Sequence, residues 1–357
     1  MLALLGVGSC GVPTKPMKQV KQPRGGRALN DRVAIVYSRH YQINLVGFER
    51  LHPFDINKYA RIYERLVADG LLRPSDVFVP APISERAILR VHTRRFLANL
   101  KDSSTVARYL EAPPIKLVHP KLLDLGVLSS FRHATGGTLL AARQACRHGI
   151  AINIGGGYHH AKPGAGEGFC IYADMPIAIR TLQSEGKLRR ALVIDLDVHQ
   201  GNGTAVCLAD DDDTFTFSMH QGDIYPIPKA TSDLDIELDA GTGDAAYLRI
   251  LREHLPALFE RARPEIVFLQ AGCDTLADDP LASLKMTEQG IVQRDLMVID
   301  ACMQRGVPVV MTLGGGYSPN AWHAQYASIR RIIETHGRTQ PLNRRASPGP
   351  RNRAGRT

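Results

Sequence analysis

The chain has 357 residues, 44% of them hydrophobic and 22% charged, with a formal net charge of +9 at pH 7. This apolar content suffices for a large core around one sheet. No apolar run reaches the roughly 18 residues that a membrane span requires, and the six cysteines form no C-x-x-C pair. The sequence therefore disfavours a membrane protein and a disulfide framework, and it predicts a reducing, cytoplasmic location.

The positive charge is concentrated at the two ends of the chain. Residues 1–30 and 341–357 each contain five Lys or Arg and no acidic residue. Without these ten, 34 basic residues face 35 acidic ones, so the body of the chain is close to neutral. We predict disordered basic extensions at 1–30 and 341–357 around a catalytic domain at 31–340. A targeting segment at the N-terminus and loose attraction of the tails to acidic surfaces are alternatives; no specific nucleic-acid partner is indicated.

Short apolar runs rich in β-branched residues alternate along the chain with longer segments of helical periodicity. The predicted strands lie at 32–37, 150–154, 191–194, 214–218, 265–270 and 307–313. The clearest predicted helices lie at 133–147, 175–185, 244–261, 287–305 and 320–336. Strands that are apolar on both faces are typical of a mostly parallel sheet covered by helices on both sides. This pattern predicts one doubly wound α/β domain.

Four of the predicted strands are followed by glycine, acidic residues or histidine. Gly155-Gly156-Gly157-Tyr158 and Gly314-Gly315-Gly316-Tyr317 follow two of them, and the other two lead into Asp195-Leu196-Asp197-Val198-His199 and Gly272-Cys273-Asp274. Open α/β sheets bind their ligands at the carboxyl ends of the strands. We therefore expect one site to be assembled from several strand ends.

Asp197, His199 and Asp274 have the composition of a catalytic metal site. Asp197 and His199 are two residues apart, so their side chains point to the same face of an extended segment. Two carboxylates and one imidazole would leave a fourth position open for water. The alternative is that the aspartates cap helices and His199 is a hydrogen-bonded loop residue. That alternative does not explain why all three converge on one edge of the sheet.

A pair of histidines, His159 and His160, follows the first glycine turn. Adjacent histidines are most often surface or core residues, but here a strand end delivers them toward the expected metal. Asp195 can hold the tautomer of one histidine, and Asn202 can hold that of the other without a charge. The histidine beside Asn202 should then have the lower pKa, so the two could divide acid and base roles.

Two aromatic residues are placed to complete this site. Tyr317 follows a glycine triplet, and its phenol could donate a hydrogen bond to a developing oxyanion; an ordinary turn tyrosine is the alternative. Phe169, after Gly168, could form the wall of a narrow channel. The glycines at 164, 166 and 168 resemble a dinucleotide fingerprint only weakly, because they do not open directly from a strand.

Together these segments resemble the zinc-dependent histone deacetylases, in the order of that family and over roughly residues 32–336. The resemblance rests on the segments at 155–160, 168–170, 195–203, 271–275, 279–281 and 314–317. The stretches at 36–38, 51–55 and 91–96 look most like the class IV branch. The resemblance implies an arginase-like α/β/α sandwich, with a mostly parallel central sheet, that hydrolyses the amide of acyl-lysine in proteins or peptides.

The resemblance also implies roles for individual residues. One Zn²⁺ is held by Asp197, His199 and Asp274; Fe²⁺ would suit the same donors. His160, beside Asn202, is the general base toward water and then protonates the leaving amine. His159 pairs with Asp195, and Tyr317 polarises the acyl carbonyl. Gly168, Phe169 and Leu281 are expected along the substrate channel, and K⁺ is expected near Asp195, Asp197, His199 and Ser218.

Two departures from the family pattern concern the substrate channel. Arg94 stands where many relatives have a rim aspartate that grips the substrate backbone. A second channel phenylalanine, expected after the strand at 214–218, has no match in residues 219–225. One wall of the channel is therefore expected to be wider or differently shaped, which could admit acyl groups longer than acetyl. Asn202 replaces an aspartate of some classes but fits the class IV branch.

Other functions remain open at this level. An acylpolyamine or other small-molecule amidohydrolase would use the same catalytic residues. An arginase-type enzyme would need two manganese ions and more Asp and His ligands than the sequence offers. A non-catalytic acyl-lysine binder would have lost Tyr317, His160 or a metal ligand, and all are present. The sequence does not determine the physiological substrate or the oligomeric state.

Overall fold

The structure is a computed structural model that describes residues 33–43 and 54–337. The predicted extensions at 1–30 and 341–357 lie outside the described residues, as does part of the stretch at 51–55. Within the described part of the chain, no helix is long and apolar enough to cross a membrane.

Seven strands form one sheet in the order β1-β2-β7-β6-β3-β4-β5, and every neighbouring pair is parallel. The strands are β1 (Val33–Val36), β2 (Ile150–Asn153), β3 (Ala191–Asp195), β4 (Thr214–Gln221), β5 (Leu234–Leu238), β6 (Ile266–Gln270) and β7 (Val309–Thr312). All six predicted strands are present. The sequence missed β5, an edge strand whose residues are mostly half-buried, because it lacks a continuous apolar run.

Eleven α-helices accompany the strands in the described residues. They are α1 (Lys58–Ala68), α2 (Glu85–Ile88), α3 (Arg94–Asn99), α4 (Ser103–Tyr109), α5 (Pro120–Leu123), α6 (Ser129–His148), α7 (Asp174–Ser184), α8 (Asn202–Leu208), α9 (Asp244–Ala262), α10 (Glu288–Arg305) and α11 (Ala321–His336). The five clearest predicted helices correspond to α6, α7, α9, α10 and α11. Helix α6 begins at Ser129, earlier than predicted, and the short helices between 58 and 123 were not predicted.

Two hydrophobic cores lie on opposite faces of the sheet. Alternate residues of β1 point to opposite sides, so that Val33 and Ile35 join one core while Ala34 and Val36 join the other. Helices α1, α9, α10 and α11 cover the first face. Helices α6 and α7, with the shorter α2 to α4, cover the second. The molecule is therefore the three-layer α/β/α sandwich that the sequence predicts.

The strand order explains why the functional segments meet. Strands β2, β7, β6 and β3 are consecutive neighbours in the sheet, and these are the four strands followed by glycine turns or acidic residues. Parallel strands place their carboxyl ends at the same edge. The two glycine turns and the two acidic segments are therefore adjacent at that edge.

Candidate metal centre and catalytic site

Asp197, His199 and Asp274 form a buried cluster that could hold a metal ion. One ligand atom from each lies within 4.8 Å of the others, and none of the three residues is more than 6% exposed. His199 Nδ1 lies 3.3 Å from Asp197 Oδ1 and 3.1 Å from Asp274 Oδ2. The predicted ligand set is thus brought together in space.

Backbone amides hold the two carboxylates in place. The amide of Val198 donates to Asp274 Oδ1 at 2.9 Å, and that of Gly315 donates to Asp197 Oδ2 at 2.8 Å. These bonds come from neighbouring strand ends, so the sheet itself fixes the direction of each carboxylate. The ligand atoms are positioned before any ion binds, which lowers the ordering cost of binding.

The donor set fits a divalent cation. Burial and the neighbouring Asp197 carboxylate raise the pKa of Asp274 to about 7, because two buried carboxylates repel each other when no cation lies between them. A Cβ on Gly272 would overlap the Asp197 carboxylate, and one on Gly315 would overlap that of Asp274. The backbone at these two positions therefore approaches the carboxylates so closely that only glycine fits. Two aspartates and one histidine are a ligand set typical of a catalytic metal site.

Two buried cations lie beside this cluster, and sequence reasoning missed both. Arg294 of α10 is fully buried; its Nη1 donates to the carbonyls of Leu196 (3.1 Å) and Gly272 (2.7 Å). Lys58 of α1, also buried, donates to the carbonyl of Gly314 at 2.9 Å. Arg294 binds the two segments that carry the metal ligands, and Lys58 binds the glycine turn that precedes Tyr317. Their sequence positions, within amphipathic helices, give no signal of this role.

The histidine pair has the two partners that the sequence predicts. His159 Nδ1 lies 2.8 Å from Asp195 Oδ2, and His160 Nδ1 lies 2.8 Å from Asn202 Oδ1. Burial lowers the pKa of His159, but the carboxylates of Asp195 and Asp197 outweigh burial and raise it to about 9. Burial, together with His159 and His199, holds the pKa of His160 well below its ordinary value. His159 is thus suited to carry a positive charge and His160 to accept a proton.

A buried carboxylate, Asp174, shapes the turn that presents these histidines. It accepts hydrogen bonds from the backbone amides of Gly157 at 2.9 Å and Tyr158 at 2.8 Å, and from Thr138 Oγ1 at 2.6 Å. Gly157 has a φ of +84°, a conformation that strains any residue with a Cβ. The glycine and the carboxylate together fix the direction in which the chain enters the site.

Tyr317 lies close to the metal cluster. Its ring centroid is 6.3 Å from that of His199 and 5.8 Å from that of Phe169. Burial and the carboxylates of Asp274 and Asp197 raise the pKa of Tyr317 well above its ordinary value. The phenol therefore stays protonated and can donate a hydrogen bond.

An aromatic ring lies close to the histidines within residues 219–225, where no phenylalanine stands. The ring of Tyr225 lies 5.0 Å from that of His160 and 6.2 Å from that of His199. The absence of a phenylalanine therefore does not leave this wall without an aromatic ring, and the expected difference in the width or shape of the channel there stays a prediction. Sequence comparison for phenylalanine alone missed this ring, although a tyrosine two positions after Asp223 was a visible signal.

An apolar cavity extends from the catalytic residues into the protein. It spans about 1150 Å³, including space open to solvent, and is lined by His160, Phe169 and Tyr317 together with residues of both hydrophobic cores. Its apolar lining includes Tyr41, Leu110, Ala112, Ile115, Val127 and Phe131. Gly168 and Phe169 line it as predicted. Leu281 is 39% exposed and does not line this cavity, so its role in the channel stays a prediction.

Two other residues that the sequence singled out are Ser218 and Arg94. Ser218 is buried and pairs with Asp195 across β3 and β4, and its hydroxyl lies 2.9 Å from His220 Nδ1. A K⁺ site there stays a prediction. Arg94 is exposed at the first position of α3.

Comparison with known proteins identifies this arrangement. A family model described as the histone deacetylase domain matches residues 52–333. Histone deacetylase 2 of Arabidopsis thaliana is 39% identical over 304 residues, which cover 84% of this chain and 79% of that protein. Histone deacetylase 8 of Xenopus tropicalis is 30% identical over 272 residues, 72% of each chain.

More distant matches agree on the fold. Acetoin utilization protein AcuC of Bacillus subtilis is 28% identical over 328 residues, 84% of this chain and 83% of that protein. The crystal structure of the HDA15 HD domain superposes with a TM-score of 0.68 over 85% of this chain and 92% of that one, at 18% identity.

Proposed function

This chain belongs to the histone deacetylase family, and we propose that it is a zinc-dependent deacylase that hydrolyses the amide of Nε-acyl-lysine. The observation that carries the proposal is the convergence of three kinds of group at one sheet edge. A histidine with an uncharged partner and a protonated phenol line the same cavity, and the three-ligand metal cluster lies beside both of them. Metal-assisted amide hydrolysis uses this set: a metal, a base and an oxyanion donor.

Zn²⁺ bound by Asp197, His199 and Asp274 would supply Lewis acidity and lower the pKa of water at the open position. His160 donates its Nδ1 proton to Asn202, so Nε2 keeps its lone pair and accepts a proton from the attacking water. The same atom then returns that proton to the leaving lysine amine.

His159 and Tyr317 stabilise the charge that develops. His159, held by Asp195, is cationic at neutral pH and offsets negative charge near the reacting carbonyl. Tyr317 donates its phenolic proton as a hydrogen bond to the oxyanion of the tetrahedral state. Loss of one such donor typically costs roughly 3–4 kcal/mol in activation free energy.

The cavity supports acyl groups longer than acetyl as substrates. Its lining is largely apolar and includes residues of the second core as well as His160, Phe169 and Tyr317, whereas an acetyl group needs space for only one methyl. Each buried CH₂ contributes about 0.8 kcal/mol of binding free energy. The room for a longer chain would come from this cavity.

Several finer points of the proposal go beyond the family. Zn²⁺ is proposed as the metal, with Fe²⁺ as an alternative for the same donors, and K⁺ is proposed near Asp195 and Ser218. A place in the class IV branch rests on the stretches at 36–38 and 91–96. Cytoplasmic action rests on thiol chemistry: the five cysteines in the described residues are all free.

The test is hydrolysis of lysine peptides that carry acetyl to myristoyl chains. Wild type is compared with Tyr317→Phe and with chelator-treated enzyme restored by Zn²⁺ or Fe²⁺. Turnover that requires both the metal and the Tyr317 hydroxyl supports the proposal. If the zinc-loaded, folded protein turns over acylated polyamines but no acyl-lysine peptide, the lysine assignment is wrong.

A further inference from the structure

We propose that Glu167 is a positioning residue for catalysis: it fixes the Asn202 amide, and through it the tautomer of His160. The inference rests on the proposed function, in which His160 is the base. Glu167 belongs to the loop between the histidine pair and Phe169, and neither its charge nor its spacing singles it out in the sequence.

The Glu167 carboxylate has three partners. Its Oε1 accepts hydrogen bonds from Asn202 Nδ2 at 2.9 Å and from the Tyr225 hydroxyl at 2.6 Å. Its Oε2 accepts from Lys162 Nζ at 2.6 Å. Burial raises the pKa of Glu167, but the hydrogen bonds from Lys162, Tyr225 and Asn202 outweigh burial and hold the pKa below its ordinary value. An ionised carboxylate can only accept hydrogen bonds.

The acceptor-only carboxylate decides which way the Asn202 amide points. An asparagine side chain has an oxygen and a nitrogen of nearly equal size, so its amide can turn over in place. Because Glu167 accepts from Nδ2, the amide oxygen must face the other way. There it accepts from the Gly203 backbone amide at 2.9 Å and from His160 Nδ1 at 2.8 Å.

The amide orientation in turn decides the tautomer of His160. An oxygen facing Nδ1 requires a proton on Nδ1 and leaves Nε2 as the basic nitrogen. A turned amide would present its NH₂ group to Nδ1, and the proton would then favour Nε2, where it blocks base catalysis. An aspartate at position 202 would need no such control. An asparagine does, and Glu167 provides it.

The same carboxylate oxygen also anchors the channel wall. The Tyr225 hydroxyl binds Glu167 Oε1 while the Tyr225 ring packs edge-on against His160. The substitution Tyr225→Phe removes only the hydrogen bond between Tyr225 and Glu167 and leaves the one between Asn202 and Glu167. It should raise KM for acyl-lysine peptides and leave the tautomer of His160 unchanged, whereas a change at Glu167 should affect kcat.

The test is a double-mutant cycle between Glu167→Gln and Asn202→Asp in the metal-loaded enzyme. Glu167→Gln should lower kcat by roughly 10-fold or more, as loss of a partner behind a catalytic or metal-binding group typically does. Asn202→Asp alone should also be slow, because it sets two carboxylates at hydrogen-bond distance from each other. The double variant should be faster than either single variant, because the introduced glutamine amide can donate to the introduced aspartate.

Two further measurements keep the result decisive. Glu185→Gln is the matched control, since Glu185 is also a glutamate in an ion pair, with Arg143 and Lys187, but lies away from the site; the kcat of this variant should not change. The ¹⁵N spectrum of labelled histidines reports the His160 tautomer without any turnover, and it should show Nδ1–H in wild type and a loss of that form in Glu167→Gln.

The role of Glu167 would be overturned if the losses in kcat of the two single variants simply multiplied in the double variant. It would also be overturned if the His160 tautomer were unchanged in Glu167→Gln. Failure of the proposed function would look different. Wild type would then show no turnover of acyl-lysine peptides, while the tautomer measurement would still decide what Glu167 does.

Discussion

Asp279 fixes the backbone of Tyr317. Its Oδ2 accepts a hydrogen bond from the Tyr317 amide at 2.8 Å and a second from the Ser318 amide at 3.3 Å. Asp279 is not part of the metal cluster, although its charge acts on Asp274, and both hydrogen bonds hold the segment that carries the phenol. That relationship can be tested with the neutral substitution Asp279→Asn.

We expect Tyr317→Phe to lower kcat by about 10²–10³ because it removes one donor to the oxyanion. Asp279→Asn should lower kcat by a smaller factor, since the phenol remains but is less well held. In the double variant, Asp279→Asn should lower kcat little below that of Tyr317→Phe alone, because the effects of substitutions at contacting residues that act as one unit are not additive. Steady-state kinetics of the four enzymes measure this; fully multiplicative losses would contradict it.

Zinc should stabilise the protein through the Asp197, His199 and Asp274 cluster. At a free Zn²⁺ concentration 100 times Kd, binding to the native state alone adds about 2.7 kcal/mol to the free energy of unfolding. Asp274→Asn should abolish both this stabilisation and activity. Denaturant unfolding with and without Zn²⁺ measures the stabilisation. Asp210 is exposed, and the control variant Asp210→Asn should keep both the stabilisation by Zn²⁺ and the activity.

Gly315→Ala should weaken metal binding without removing a ligand. The added Cβ would overlap the Asp274 carboxylate and lie 2.7 Å from Asp197 Oδ2. We expect Zn²⁺ affinity to fall by roughly 10–100-fold, the range seen when groups that orient metal ligands are changed. Competition with a chromophoric chelator measures the affinity. Gly164→Ala, whose Cβ would meet no atom within 4 Å, should bind Zn²⁺ as wild type does.

Ala112→Phe should narrow the inner cavity, because Ala112 lines it and is only partly exposed. Turnover of peptides with long acyl chains should fall at least tenfold while acetyl turnover changes little; a loss of tenfold corresponds to about 1.4 kcal/mol. Ala98→Phe, on an exposed position of α3, is the control of equal size. Equal losses for all chain lengths would contradict a cavity that holds the acyl chain.

Stability should fall with acidity partly because of His92. Burial lowers its pKa to about 4, and its Nε2 accepts the Ala173 backbone amide at 2.9 Å. The unfolded chain, with an ordinary histidine pKa near 6.5, binds a proton that the native state does not, so the free energy of unfolding falls between pH 6.5 and 4. The contribution lost between pH 7 and 5 is roughly 2 kcal/mol.

His92→Gln keeps an acceptor for the Ala173 amide but cannot titrate. Urea unfolding at pH 7 and pH 5 should therefore show a smaller drop for this variant than for wild type. His254→Gln, at a partly exposed position of α9, should drop as much as wild type does. A parallel pH dependence in wild type and His92→Gln would show that His92 is not responsible.

The sequence by itself determined the class of fold and the ligand-bearing segments. Continuous apolar strands alternating with helices require a parallel sheet covered on both faces, because a strand without a polar face must be buried on both sides. Parallel strands bring their carboxyl ends to one edge, so the sequence placed Asp197, His199, Asp274, His160 and Tyr317 along the same edge. The sequence also offered Asp195 and Asn202 as partners of the two histidines, and the resemblance to the family implied that His159 pairs with Asp195.

Only the tertiary structure decided which side chains support those groups. The supporting side chains contact groups that are distant in the sequence, and a single residue at one position leaves no periodic pattern. They are Glu167, Tyr225, Lys58, Arg294 and Asp279. Strand β5 was missed for a related reason, because an edge strand needs no continuous apolar run. The chemistry of the site was readable because ligands need particular residue types at particular spacings. The orientation of the side chains in the site could not be read from the sequence, because hydrogen bonds between distant segments depend on how the helices and loops pack around the sheet.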